Sequence, residues 1–324
     1  MCTAISFRTR DHYFGRTLDY DQSFGEEVVL TPRNFPLTFR HLPPLGRHHA
    51  ILGIARVEEG YPLYFDAMNE RGLALAGLNF PGFARYSPPV SGRENVAHFE
   101  LIPWLLGCCA SVSEAKARLQ KLNVTDDVFS DRLSASSLHW LLSDREESLT
   151  LEATAAGLRI YPNPVGVLTN NPPFDEQLLQ LNNFMHLSPL PPENRFSRRI
   201  QLRPHSRGMG ALGLPGDLSS QSRFVRAAFV KLNSLCGDSE EESVSQFFHI
   251  LGAVEQPLGS CRLGNGRCER TLYTSCCNTT QGILYYTSYE SRCLRAVAMH
   301  RENLEEAGLV RWELDRRERI NWVN

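Results

Sequence analysis

Cys2 stands directly behind the start methionine, in "MCTAISF". If Met1 is removed, this residue carries a thiol and a free α-amine on adjacent carbons. An α-amine titrates near about 7.7–8.0 and a cysteine thiol near about 8.5. At neutral pH such an amine can take the thiol proton and later return it to a leaving group. One residue then supplies both nucleophile and general base for acyl transfer. A cysteine close to a terminus is more often a small buried hydrophobe, so the reading depends on its neighbours. The stretch "FGRTLDYD" provides them in Arg16 and Asp19. A cation beside a thiol favours the thiolate, and a carboxylate near an amine orients it. The same two side chains would also make an ordinary surface ion pair. A spacing of three puts them on opposite faces of a straight strand. The chain must therefore bend or end near Leu18 if both serve one site.

A hairpin brings these residues together. Residues 3–7 and 13–17 read as strands around the turn "RTRDH". Strands are expected next at 27–31, 49–56, 63–67 and 73–80. The last, "LALAGLNF", is apolar on both alternating sets of positions, as in a strand covered on both faces. A helix is expected at 98–108, followed by a second behind the capping-box match Ser111-x-x-Glu114, with Val112, Ala115, Leu119 and Leu122 on its apolar face. Strands return at 138–143, 148–154, 158–161 and 165–169. Helices follow at 174–184, 222–235 and 239–254, and strands at 272–277, 283–289 and 293–299 close the chain. Strand groups separated by helix groups predict an α+β fold of stacked sheets with helices on their outsides.

The chain has 324 residues, 42% hydrophobic and 22% charged, with a formal net charge of −2. This composition suits a globular protein in one large unit, 1–324, and lacks the basic stripe of a nucleic-acid partner. No apolar run is long enough to cross a bilayer, so no membrane insertion is expected. Arg8, Arg10, Asp11 and His12 interrupt any secretory pattern near the start, and a cytoplasmic location is expected. Nine cysteines are present, but no C-x-x-C spacing suggests a metal site.

The blocks "MCTAI", "FGRTLDYD", "DAMNERGLALAGLNFPG", "GVLTNNPPFD", "LPGDLSSQSRFVRAAF" and "TLYTSCCNTTQGILYYTSYE" resemble the choloylglycine hydrolase family, which contains bile salt hydrolases and penicillin V acylases. They run in family order from residue 2 to about residue 290. The resemblance implies the four-layer αββα sandwich of N-terminal-nucleophile hydrolases and a reaction that needs neither metal nor organic cofactor. It implies Cys2 as nucleophile after loss of Met1, Arg16 beside it, and Asp19 holding the α-amine. Asn79 and Asn170 would form the oxyanion hole, and Arg223 would be a second active-site arginine.

The residues themselves speak to these roles unevenly. Asn79 ends an apolar strand, where its amide needs a partner that turn backbone could equally supply. Asn170 lies in an ordinary turn composition, "TNNPP", and would not draw notice alone. Arg223 falls in the expected first turn of a helix, where a cation opposes the dipole, although Asp217 nearby offers compensation.

Asn79, where penicillin acylases usually carry Tyr, favours glycine- or taurine-conjugated bile acids as substrates. By the same resemblance Leu18, Phe65, Phe129, Leu133 and Leu138 line a steroid pocket. Ser206-Arg207-Gly208 resembles a loop associated with taurine preference, and a guanidinium suits a sulfonate. Penicillin V, N-acyl homoserine lactones, or an inactive bile-acid-binding role are the alternatives. A homotetramer is implied by the family.

Overall fold

The computed structural model describes all residues, 1–324. The strands β1 (Cys2–Arg8) and β2 (His12–Tyr20) form the expected hairpin, closed where Thr9 N donates to Asp11 O at 3.0 Å. Then come β3 (Glu27–Thr31), β4 (Ile51–Glu58), β5 (Tyr61–Asn69) and β6 (Ala74–Asn79). A short parallel pair, β7 (Glu94–Ala97) and β8 (Leu122–Thr125), brackets the helices α1 (Leu101–Cys108) and α2 (Val112–Leu119). β9 (Leu138–Ser143), β10 (Ser148–Thr154), β11 (Gly157–Pro162) and the two-residue β12 (Val167–Leu168) follow. They lead into α3 (Phe174–Gln180), α4 (Ser220–Asn233) and α5 (Glu240–Gly252). β13 (Cys261–Arg262), β14 (Cys268–Asn278), β15 (Ile283–Ser288), β16 (Ser291–Ala298) and β17 (Val310–Glu313) complete the chain.

These strands build two large antiparallel sheets. The first runs β12-β1-β2-β14-β15-β16, with β13 paired to β14. The second runs β11-β10-β9-β6-β5-β4-β3-β17. Their facing sides meet through Ala4, Leu18, Leu30, Ala76 and Leu78, all buried. On the outer side of the first sheet, α4 and α5 seat Phe224, Ala228, Phe247 and Leu251. On the outer side of the second, Trp104 and Leu105 of α1 pack with Leu75, Trp140 and Leu142. Burying each leucine or phenylalanine among them is worth roughly 1.5–3 kcal/mol. Apolar residues on both sets of strand positions thus account for the expected αββα order.

β2 lies inside the stack, and every residue from His12 to Asp19 is buried. Gly15 is required there, because a Cβ would stand 2.0 Å from the Ser275 carbonyl oxygen of β14. Close approach of these two strands brings the functional side chains of β2 up to β14.

Some elements depart from the sequence reading. Leu122, expected on a helical face, opens β8, since the helix stops at Leu119 and "LNVT" pairs with β7. The helix expected from residue 98 begins at Leu101, because the Glu100 carboxylate accepts Ala97 N at 3.1 Å and Arg40 N at 2.8 Å and pins the preceding loop. The expected 174–184 helix is α3 followed by a 3₁₀ turn, Leu181–Phe184. β7, β13 and β17 are too short to leave a periodic signal.

Candidate active site

Strand register sets the site. Cys2 lies opposite Leu18, Thr3 opposite Thr17 and Ala4 opposite Arg16. On the other side of β2, Thr271 of β14 pairs with Asp19, while Tyr273 pairs with Leu18. One residue of β14, Leu272, is therefore unmatched. This bulge lies where the spacing of Arg16 and Asp19 called for a bend, and bulges bend and twist a strand locally.

Arg16 crosses toward the second sheet. Its Nη1 donates to the Gly77 carbonyl of β6 and to the Phe65 carbonyl of β5 at 3.3 Å. Nε donates to its neighbour Thr17 O at 3.2 Å, and Nη2 is buried with no protein partner. Burial opposes the guanidinium charge, but the acidic groups around it, Cys2, Tyr273, Asp66 and Asp19, outweigh it and raise the pKa. Asp66 of β5 accepts from Tyr273 Oη at 2.5 Å and Ser275 Oγ at 2.7 Å. Burial pushes the Asp66 pKa up, against the opposing pull of Arg16.

Asp19 is fully enclosed. Its carboxylate accepts from Thr271 Oγ1 at 2.6 Å, Thr17 Oγ1 at 3.1 Å and Gln256 Nε2 at 3.3 Å. Burial raises its pKa, opposed first by Arg223 and then by the amino terminus. Met1 is present here, so the nitrogen of Cys2 is an amide. It donates to Asn170 Oδ1 at 2.8 Å rather than to Asp19. Asp19 meets Met1 through backbone atoms: Asp19 N donates to Met1 O at 2.8 Å, and the Met1 amine donates to Asp19 O at 2.5 Å. Glu269 lies 3.3 Å from that amine.

Asn170 and Arg223 complete the cluster. Asn170 N donates to Ser220 Oγ at 2.8 Å, and Gln177 Nε2 donates to Asn170 O at 2.5 Å. Its Nδ2 donates to the Asn79 carbonyl at 2.7 Å. Arg223, the fourth residue of α4, turns inward and is fully buried. It donates to Cys2 O at 2.5 Å, Thr3 Oγ1 at 2.7 Å and Asn170 Oδ1 at 2.7 Å. Asp217 does not compensate it, being occupied by Ser219 N and Ser222 Oγ. Burial lowers the Arg223 pKa, with Asp19, Cys2 and Glu269 opposing. Arginine stays protonated in either case. The backbone of Cys2 is thus held between Asn170 and Arg223, and the charges of two buried arginines, Arg16 and Arg223, are felt at this residue, a setting suited to a thiolate.

A family model of linear amide C–N hydrolases, the choloylglycine hydrolase family, matches residues 2–312. The chain belongs to the choloylglycine hydrolase family. It is accordingly a linear amide C–N hydrolase. It is 52% identical over 314 residues to a bile salt hydrolase/transferase of Lactiplantibacillus plantarum, covering 97% of each chain. The crystal structure of the C2A mutant of the conjugated bile acid hydrolase from Clostridium perfringens superposes with a TM-score of 0.93 at 34% identity, covering 100% of both chains. Penicillin V acylase from Agrobacterium tumefaciens shares the fold, with a TM-score of 0.74 at 19% identity over 97% of this chain and 91% of that one.

In this choloylglycine hydrolase family member the residues expected to line a pocket fall into two groups. Leu18 and Phe65 belong with the core between the sheets. Phe65 continues a row of rings, 5.6 Å from Phe24, which is 4.7 Å from Tyr20. Leu138, opposite Asn79 in the β6–β9 ladder, packs with the core beneath α1. Phe129 meets Tyr61 at 5.9 Å and Phe99 at 5.4 Å, and Leu133 sits in the turn where its N donates to Ser130 O at 3.0 Å. Arg207 is exposed, just ahead of the 3₁₀ turn Met209–Ala211. Thr271, Gln256, Glu269, Ser220 and Gln177 were not singled out from the sequence. Ser220, Gln177 and Glu269 stand among other polar residues, so only their contacts in the fold mark them.

Proposed function

We propose that this chain, acting as one unit over residues 1–324, hydrolyses the amide joining a bile acid to glycine or taurine. The observation that carries the chemistry is Cys2 at the head of β1, its nitrogen 2.8 Å from Asn170 Oδ1 and its carbonyl held by Arg223. The 52% identity to a bile salt hydrolase/transferase supports the substrate class.

Loss of Met1 exposes the Cys2 α-amine in a setting where Asn170 Oδ1 already accepts from that nitrogen and Asp19 is adjacent. The amine takes the thiol proton, and Arg16, with its spare Nη2, stabilises the thiolate. Sulfur adds to the amide carbonyl carbon. The side-chain N–H groups of Asn79 and Asn170 receive the oxyanion. The protonated amine gives its proton to the departing nitrogen, leaving a thioester. Water, deprotonated by the same amine, then releases the bile acid. Leu18, Phe65, Phe129, Leu133 and Leu138 are proposed to meet the steroid, and Arg207 the anionic end. The family resemblance further supports a homotetramer, and a cytoplasmic location is part of the same proposal; no helix of the chain is long and apolar enough to cross a membrane.

The test is turnover of taurocholate, glycocholate and penicillin V by one preparation, with its intact mass measured alongside. Bile-salt cleavage by protein that begins at Cys2 is expected. Rapid penicillin V cleavage without bile-salt cleavage would overturn the substrate, and full activity with Met1 attached would overturn the amine's role.

A further inference from the structure

His139 and Glu152 form a buried pair that the steps above do not use. They lie on the neighbouring strands β9 and β10, and both side chains are inaccessible to solvent. His139 Nδ1 is 3.0 Å from Glu152 Oε1, and His139 Nε2 is 2.9 Å from the carbonyl oxygen of Thr169. A carbonyl only accepts, so Nε2 carries a hydrogen. Nδ1 faces the Glu152 carboxylate, so the ring is held from both sides. Glu152 Oε1 also accepts from Phe174 N at 3.0 Å, while Oε2 is buried without a partner. Well-packed apolar residues of similar volume often give equal or greater stability than such a pair. Stability alone therefore does not account for it.

Its position does. The imidazole stacks on Phe80, with ring centroids 4.3 Å apart and planes 5° from parallel. Phe80 follows Asn79, and Thr169 precedes Asn170. One ring thus touches the immediate neighbour of each asparagine, from two segments more than 80 residues apart in the chain. The asparagines themselves meet through Asn170 Nδ2 and the Asn79 carbonyl. We propose that His139, with its ring fixed by Glu152, is a positioning residue that sets the relative placement of the Asn79 and Asn170 amides. The inference rests on the reading of those amides as the oxyanion hole. A ring clamped on one side by a carboxylate and on the other by a carbonyl cannot rotate, so the stacked Phe80 and the bonded Thr169 keep a fixed separation.

His139→Phe keeps a ring against Phe80 and removes both hydrogen bonds. It should lower kcat for taurocholate by about 10- to 100-fold, the scale of a misplacement near 1 Å. KM should stay within about twofold, because the loss falls on the transition state alone. Alkylation of Cys2 by iodoacetamide, a displacement at carbon that forms no oxyanion, should also stay within about twofold of wild type. His139→Gln, whose side-chain N–H can still reach Thr169 O, should recover part of kcat. Asn170→Ala should lose roughly 10²–10³ in kcat. In that background His139→Phe should add less than about threefold, since both changes strike one device.

Wild-type kcat in His139→Phe overturns the proposal. So does an alkylation rate that falls in step with kcat, or a double mutant that is fully additive. If Asn170→Ala is as fast as wild type, the oxyanion reading fails and the proposal with it. If only His139→Phe is as fast as wild type, the oxyanion reading stands and the proposal alone fails. Should His139→Phe not fold, His139→Gln and Glu152→Gln provide the same comparison of kcat with alkylation.

Discussion

Arg223 Nη1 donates to the carbonyl oxygen of Cys2 at 2.5 Å, so a side chain from α4 holds the backbone of the first strand. The same guanidinium donates to Thr3 Oγ1 and Asn170 Oδ1. Lysine carries the charge but is a point donor without the planar fork. Arg223→Lys is expected to lower kcat at least about 100-fold through displacement of Cys2 and Asn170. Arg223→Met removes the strongest cationic influence on the buried Asp19 and should destabilise the fold by about 3–5 kcal/mol. Steady-state kinetics and denaturant melts read the two effects separately.

Asn79 offers a contrast. Its backbone carbonyl accepts from Asn170, but its half-buried side chain makes no hydrogen bond within the protein. Asn79→Ala therefore sacrifices no existing side-chain bond, and stability should move by less than about 1 kcal/mol. Loss of an oxyanion donor should still cost about 10²–10³ in kcat. A variant that keeps wild-type turnover would remove Asn79 from the proposed oxyanion hole.

Gly15 tests the contact between β2 and β14. A methyl group there meets the Ser275 carbonyl oxygen at 2.0 Å and its carbon at 2.7 Å, both backbone atoms. Gly15→Ala should force the strands apart and cost at least about 2–3 kcal/mol. Because Asp19 depends on Thr271 across that seam, activity should fall even where the protein remains folded. Denaturant midpoints and kcat at 25 °C check both outcomes.

His12 predicts a pH dependence of stability. Burial pushes its pKa down to about 4, with Asp144 as the main opposing influence. The ring contacts Ser6 Oγ at 3.0 Å, Ser143 Oγ at 3.1 Å and Thr279 Oγ1 at 2.7 Å. A folded pKa below the unfolded value means that the unfolded chain binds more protons. The contribution is thus complete above about 6.5 and is lost as pH falls toward about 4, by roughly 3 kcal/mol. Unfolding curves between those limits should be steeper in pH for wild type than for His12→Gln. Parallel curves would exclude His12 as the cause.

Cys2, Arg16 and Asp19 are legible in the sequence because a tight hairpin makes their neighbourhood local. The layered fold is legible for a similar reason, since strands such as 73–80 are apolar on both sets of positions. Asn170 is different. Its partners come from residues 2, 79, 177, 220 and 223, and no turn composition encodes contacts so widely separated. Residue 272 is equally silent, because nothing about a leucine in an apolar strand marks it as unmatched. The pocket residues rest on family resemblance, whereas strand alternation by itself puts Leu138 on the face where it packs.

The unmatched residue in β14 has a consequence for how the chain can change. Thr271, on one side of it, serves Asp19 in the first sheet, and Tyr273 and Ser275, on the other, serve Asp66 in the second. This stretch works as a measuring rod between two acids from different layers. Removing or adding one residue between 271 and 275 would starve one acid while feeding the other. Natural variation in length should therefore collect in the exposed turn at 263–267 and stay out of those five positions.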